Sequence, residues 1–168
     1  MEGAVAFVPL TRGKIAVIDA EDAPFISEMT WSAMTTGYAR AAYTNSTGAT
    51  ESIFMHRKII GALPHQFVDH IDGDKLNNRK SNLRLCTHAE NMANRSAQKN
   101  NSAGFKGVSL CRNTGRYRAI ITVNGKKHRL GRFDSAAEAA IAYDAAAIKL
   151  LGEFAFTNDA SLGRRLNG

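Results

Sequence analysis

Between residues 68 and 91 the chain places Val68, Asp69, His70, Ile71, Asp72, Gly73 and Asp74 in a row, then Asn82, Leu83 and Arg84, then Thr87, His88, Ala89, Glu90 and Asn91. An aspartate beside a histidine, a central asparagine and a second asparagine on a helix start are side chains suited to phosphodiester hydrolysis around one metal ion. Three things are required: a water must lose a proton, the phosphate charge must be offset, and the leaving oxygen must be stabilised. A neutral histidine suits the first because its pKa lies near working pH. A divalent cation suits the other two. Oxygen ligands from Asp and Asn match a hard ion such as Mg²⁺, which keeps waters and takes phosphate oxygens of the substrate as well.

The spacing supplies elements that can assemble these groups. Residues 68–71 are strand-like, so Asp69 and His70 project to opposite faces unless the strand ends or bends, and Gly73 allows such a turn. Thr87, His88, Ala89 and Glu90 form a capping box, which starts a helix at Thr87. Asn91 then sits in its first or second turn, where it can point back at the strand pair. Asn82 lies in the intervening loop, from which its amide can hold the His70 imidazole in one tautomer.

Asp69 to Asp74, Asn82 to Arg84 and Glu90 to Asn91 together resemble the HNH endonucleases, in particular phage and intron-associated homing enzymes. The resemblance implies a ββα-metal core over about residues 66–95. It implies Asp69 and Asn91 as metal ligands, His70 as general base and Asn82 as the residue that orients it. The cofactor implied is one divalent ion, Mg²⁺ or else Mn²⁺. The last histidine of the motif is here Asn91, and no paired CxxC motifs surround the site. Arg84 is read either as a contact to the scissile phosphate or as a local ion pair. His88 is read as an exposed helix-start residue, His56 as a packed structural histidine, and Cys86 as a small core residue. Asp72 and Asp74 are expected to shape the turn at Gly73.

Net charge is +7, and it is uneven: residues 1–67 carry −1, residues 68–103 carry +2 and residues 104–168 carry +6. A localised basic excess points to a polyanion. The same C-terminal third predicts three strands, at 108–111, 117–123 and 128–130, with turns at Asn113 to Gly115 and at Asn124-Gly125. An alanine-rich helix over 136–151 follows, opened by a capping box at Ser135 and Glu138 and closed by Gly152. By period-two alternation Tyr117, Ala119, Ile121 and Val123 pack on that helix. Arg118, Ile120 and Thr122 face the other way, with Ser109, Cys111, Lys127 and Arg129 at matching parity. That open face is basic, and a small sheet can enter the major groove. Arg112 and Arg116, near the loop, are phosphate candidates.

Gly104 to Ser109, Gly115 to Ile121, Leu130 to Ala140, Ala142 to Ala146 and Asn158 resemble the apetala-two (ethylene-response-factor) DNA-binding domain. Its plant members place several arginines and tryptophans on the sheet face. Here Ser109, Cys111, Ile120 and Thr122 take some of those places, so the plant target sequence does not transfer. Fewer arginine forks imply looser base selection.

The expected architecture is α+β: a ββα-metal HNH domain over 1–98, a polar linker at 99–103, a three-stranded antiparallel sheet packed on one helix over 104–158, and a tail at 159–168. In the N-terminal part, a hairpin is expected over 4–9 and 14–19, a helix over 21–29, strands at 31–33 and 37–43, a loop at 45–49, and a strand running into a helix over 53–61. This segment is expected to extend the nuclease fold and contact DNA, with a phosphate footprint limited by its net charge of −1. No run of about 18 apolar residues predicts a membrane span, and the N-terminus lacks the basic start of a signal peptide. Cys86 and Cys111 fit free thiols in a reducing cytoplasm, which the phage resemblance places in an infected or prophage-carrying bacterial cell. The function expected is metal-dependent, site-selective cutting of double-stranded DNA, one strand per active site, by a monomer rather than a homodimer. The rivals are a DNA-binding regulator with an inactive nuclease domain and a non-specific defence nuclease.

Overall fold

The computed structural model describes residues 3–94 and 101–159. Part of the expected linker and all but the first residue of the expected tail lie outside the described residues. The chain divides into two compact units, Met1–Cys86 and Thr87–Gly168.

In the first unit β1 (Val5–Pro9) and β2 (Ile15–Asp19) form the expected antiparallel hairpin. Arg12 and Gly13 take left-handed conformations at its turn. The expected helix over 21–29 shrinks to α1 (Ala23–Ile26), preceded by a 3-10 turn at Ala20–Asp22. The Ser27 hydroxyl donates to the Pro24 carbonyl at 2.8 Å, and the helix stops there. Trp31 anchors the next strand, with its indole N–H donating to the Ile26 carbonyl at 2.8 Å. Three strands follow, β3 (Trp31–Ala33), β4 (Ala39–Thr44) and β5 (Thr50–Phe54), in the order β3-β4-β5. Gly37 and Tyr38 form a turn instead of the start of a strand. β5 runs directly into α2 (Met55–Ile60), which ends on Gly61 in the left-handed conformation. β6 (Phe67–His70) and β7 (Leu83–Cys86) close the unit as an antiparallel pair. Its core comprises Leu10, Ala16, Ile18, Ile26, Trp31, Met55, Ile59, Val68 and Leu83 with several alanines. Burying such side chains is the main drive to fold.

The second unit begins with α3 (His88–Ala93), whose capping box at Thr87 and Glu90 is formed as expected. Strands β8 (Val108–Cys111), β9 (Arg116–Val123) and β10 (Lys126–Phe133) pair antiparallel in the order β10-β9-β8. Helix α4 (Ala136–Leu151) opens at the Ser135–Glu138 capping box. Its Ala139, Ala140, Tyr143 and Ala147 pack with Val108, Ala119 and Ile121, so the alanines let helix and sheet approach closely. Only glycine fits at 107. Its φ is +72°, and a Cβ there would lie 2.1 Å from the Tyr143 ring and 2.7 Å from the Ile120 carbonyl.

β10 is longer than expected. Arg129 pairs with Ile120 and Gly131 with Ala119, which leaves Leu130 as an extra residue in a bulge. Alternation breaks at the bulge and hides the continuation to Phe133 from a period-two reading.

Candidate active site

Asp69 and His70 end β6, both buried, at 6% and 4% exposure. The antiparallel register sets Asp69 opposite Arg84 and His70 opposite Leu83. The Asp69 Oδ2 accepts from Arg84 Nε at 3.0 Å and Nη2 at 2.8 Å. Of the two readings of Arg84 the structure displays the ion pair: two guanidinium nitrogens on one carboxylate oxygen, both charge-assisted hydrogen bonds.

His70 is held from one side by Asn78, whose Oδ1 lies 3.2 Å from Nε2. Asn78 is fully buried, and both ends of its amide are fixed. Its Nδ2 donates to the Leu76 carbonyl at 3.1 Å, which turns Oδ1 toward the imidazole. An amide oxygen only accepts, so this contact favours the neutral tautomer with its proton on Nε2 and its lone pair on Nδ1. The rings of His56 and Tyr38 lie on other sides of the imidazole, with centroids 5.0 and 5.9 Å away. Burial pushes the His70 pKa down, opposed by the Asn78 contact and the charges of Asp72, Asp69 and Asp74. The form favoured at neutral pH is the one that can accept a proton.

Asn82 corrects one expectation. Its amide does not reach His70; that contact belongs to Asn78. Asn82 instead ties the loop together: Oδ1 accepts from the Asp72 backbone N–H at 3.0 Å, and Nδ2 donates to Asp72 Oδ1 at 2.9 Å and to the Asn77 carbonyl at 2.8 Å. It thereby fastens the loop that leaves β6 after His70. Asp72 and Asp74 do shape that turn, accepting from the Asp74 and Leu76 backbone N–H groups, with Gly73 at φ +76°. The sequence signal for Asn78 was the presence of three asparagines in the short run 77–82, more than a solvated loop requires.

The N-terminal hairpin holds this loop in place. Val17 N–H donates to the Leu76 carbonyl at 2.8 Å, and Asn78 N–H to the Val17 carbonyl at 2.7 Å. Asp19 takes Arg79 Nε at 3.1 Å and the Lys80 N–H at 2.8 Å. Lys80 Nζ lies 2.7 Å from both Glu21 and Asp22. Residues 17–22 therefore buttress the loop between β6 and β7. His56 is the packed histidine expected, 7% exposed, and burial pushes its pKa down to about 3. His88 is exposed at the helix start, and Cys86 is half-buried. Neither Cys86 nor Cys111 is in a disulfide.

Asn91 lies on α3, in the second unit. Among the described residues no cluster of three His, Cys, Asp or Glu side chains could hold a metal. As side-chain types, a carboxylate such as that of Asp69 and an amide oxygen such as that of Asn91 are hard donors, the kind suited to Mg²⁺, which uses few protein ligands and completes its shell with water and phosphate.

On the second unit the register sets Ser109 beside Arg118, Cys111 beside Arg116, Ile120 beside Arg129 and Thr122 beside Lys127. Arg112, Arg116, Arg118, Thr122, Lys127 and Arg129 are exposed. The bulge adds one cation to this face. Arg132 pairs with Arg118, so after Leu130 the even-numbered residues point outward. Arg116 is partly neutralised by Asp134 at 2.8 Å. Ile120 and Thr122 border a cleft shared with α3.

Residues 55–93 match the HNH endonuclease family and residues 103–153 match the AP2 domain. An uncharacterized HNH endonuclease, L560, of Acanthamoeba polyphaga mimivirus is 32% identical over 161 residues, covering 94% of this chain and 83% of the viral protein. The chain belongs to the HNH endonuclease family. This HNH endonuclease hydrolyses phosphodiester bonds of DNA and carries an AP2 DNA-binding domain. It is also 40% identical over 62 residues to Protein 3.8 of Escherichia phage T7, across 37% of this chain and 51% of the phage protein. It is 40% identical over 60 residues to YosQ of Bacillus subtilis (strain 168), an SPbeta prophage-derived protein named for HNH homing endonucleases, across 33% of this chain and 35% of YosQ. Among the described residues no helix is long and apolar enough to cross a membrane.

Proposed function

We propose that this HNH endonuclease is metal-dependent and site-selective, of the homing type, and cuts one strand of double-stranded DNA per active site as a monomer. The observation that carries the reading is the buried Asp69–His70 pair, with the imidazole held by Asn78 in a contact that favours the lone pair on Nδ1. His70 takes a proton from water at Nδ1 as the water oxygen attacks phosphorus and the bond to the leaving oxygen breaks. The leaving oxygen takes a proton from solvent, and the imidazolium returns its own to solvent. Asp69 and Asn91 would hold the divalent ion, Mg²⁺ or Mn²⁺, in a ββα arrangement of β6, β7 and α3. When bound, that ion offsets charge on the phosphate and the leaving oxygen. Asn82 and Asn78 position His70, one through the loop and one directly.

Selection of the site is assigned to the open face of the β8–β10 sheet, through Ser109, Arg118, Ile120, Thr122, Lys127, Arg129 and Arg132, with Arg112 and Arg116 on phosphates. The likeness to phage and prophage proteins supports action inside an infected or lysogenic bacterial cell. Mapping the nicks made in a library of long duplexes tests selectivity. The reading expects breaks at one or a few related sequences. Breaks spread evenly over the library would instead identify a degradative nuclease.

A further inference from the structure

The helix that carries Asn91 is bonded to the fold that reads DNA. α3 ends at Ala93, and the Ala93 carbonyl accepts a hydrogen bond from the Lys106 ammonium. Carbonyls in the last turn of a helix have no partner within it, and a cation there also favours the helix dipole. The same ammonium lies 5.2 Å above the Phe156 ring. Lys106 is itself held at its backbone. Its N–H donates to Asn158 Oδ1 at 2.6 Å, and its carbonyl accepts from Asn158 Nδ2 at 3.2 Å. Asn158 in turn is fixed by Asp144, which is 2% exposed on α4 and accepts from the Asn158 N–H at 2.8 Å and from its Nδ2 at 2.9 Å. An unbroken polar chain thus runs from the centre of α4 through Asn158 and Lys106 to the end of α3. Beside it His88, Met92 and Ala93 of α3 line a cleft with Gly107, Ile120 and Leu151.

Within the DNA-reading fold the Lys106 ammonium meets the face of the Phe156 ring. Asn158 is bonded to the backbone of residue 106, which any residue but proline would supply. The hydrogen bond of the side chain goes to α3. Burial pushes the Lys106 pKa down to about 8, so the charged form is kept there against a desolvation cost that the carbonyl and the ring face offset.

We propose that Lys106 is a positioning residue of the nuclease, which fastens the Asn91 helix to the DNA-reading fold so that a ligand of the reaction moves with the reader. The proposal rests on the reading of Asn91 as a metal ligand. Lys106→Met keeps the aliphatic stem and removes the donor. In the full chain, amide hydrogen exchange is followed in α3 and in α4, DNA affinity is measured, and cutting is titrated with Mg²⁺.

The expected result is an about tenfold loss of protection in α3 with α4 unchanged, the scale of one hydrogen bond to a charged group. DNA affinity stays within about twofold, and the Mg²⁺ concentration for half-maximal cutting rises by about tenfold, the same scale. Lys106→Arg, which retains a donor, restores protection and the Mg²⁺ response in part. Unchanged protection in α3 overturns the proposal. So does parallel loss in α3 and α4, which would make Lys106 a general stabiliser. Asn91→Ala, titrated alongside, separates two further failures. If it raises the Mg²⁺ requirement while Lys106→Met loosens α3 without raising it, the positioning role is wrong. If Asn91→Ala leaves the requirement unchanged, the ligand reading of Asn91 fails and takes the nuclease role of Lys106 with it.

Discussion

Replacing His70 with alanine is expected to lower the rate of cutting by about 10²–10⁴-fold, the usual contribution of a positioned general base, while DNA binding remains. Binding is assigned to the sheet of the second unit, whereas His70 sits at the end of β6, covered by Asn78, Tyr38 and His56. The substitution removes a ring from a buried site, so stability must be checked alongside. A thermal melt reports the fold, and single-turnover cutting at saturating DNA reports the chemistry. A variant that melts like the wild type and still cuts at the wild-type rate would remove His70 from the mechanism. Asn78→Ala is informative in the same assay. It leaves the base present but releases its orientation, so its effect on the rate should be smaller than that of His70→Ala.

The second large effect is expected on the reader sheet. Arg118, Arg129 and Arg132 are exposed and share the open face. Converting all three to alanine should weaken duplex binding by about 10²–10³-fold and flatten the salt dependence by about one logarithmic unit for each phosphate no longer neutralised. If any of the three forks a guanine, the cost at that base pair is about 1–3 kcal/mol and selectivity relaxes there. Cutting at saturating DNA should persist, because none of these residues belongs to the chemistry assigned to Asp69 and His70. Affinity and salt slope measured by fluorescence anisotropy check the first part. Undiminished binding by the triple variant would show that the DNA lies on another surface.

The parts of the fold readable beforehand are those controlled by local chemistry. Thr87 and Glu90, and Ser135 and Glu138, form reciprocal capping boxes visible as a four-residue pattern. Asn124 and Gly125 both take positive φ, as a tight hairpin turn demands. What escaped was decided by distant contacts. Of β5 (Thr50–Phe54) the end at Ile53 and Phe54 agrees with the strand expected to run into a helix, whereas Thr50, Glu51 and Ser52 are polar and exposed and join it through pairing with β4. Arg132 joins the open face only because the bulge at Leu130 resets the parity. Asn78 could not be told apart from Asn82 by type or spacing. The difference arises because β2 bonds the loop through Leu76 and Asn78, which turns one amide toward His70 and leaves the other to Asp72. Asp69 and His70 were legible as a pair, but the engagement of Arg84 with Asp69 follows from register between two strands separated by a twelve-residue connection.

The most direct test is a time course on supercoiled plasmid bearing a cleavable site, with Mg²⁺, with Mn²⁺ and with a chelator in place of either. Hydrolysis by His70 with an ion held by Asp69 and Asn91 predicts that supercoiled DNA passes to nicked circles with either metal and stays intact in chelator. Nicking that proceeds equally in the chelator, or bound plasmid that is never cut with any metal, would contradict that account.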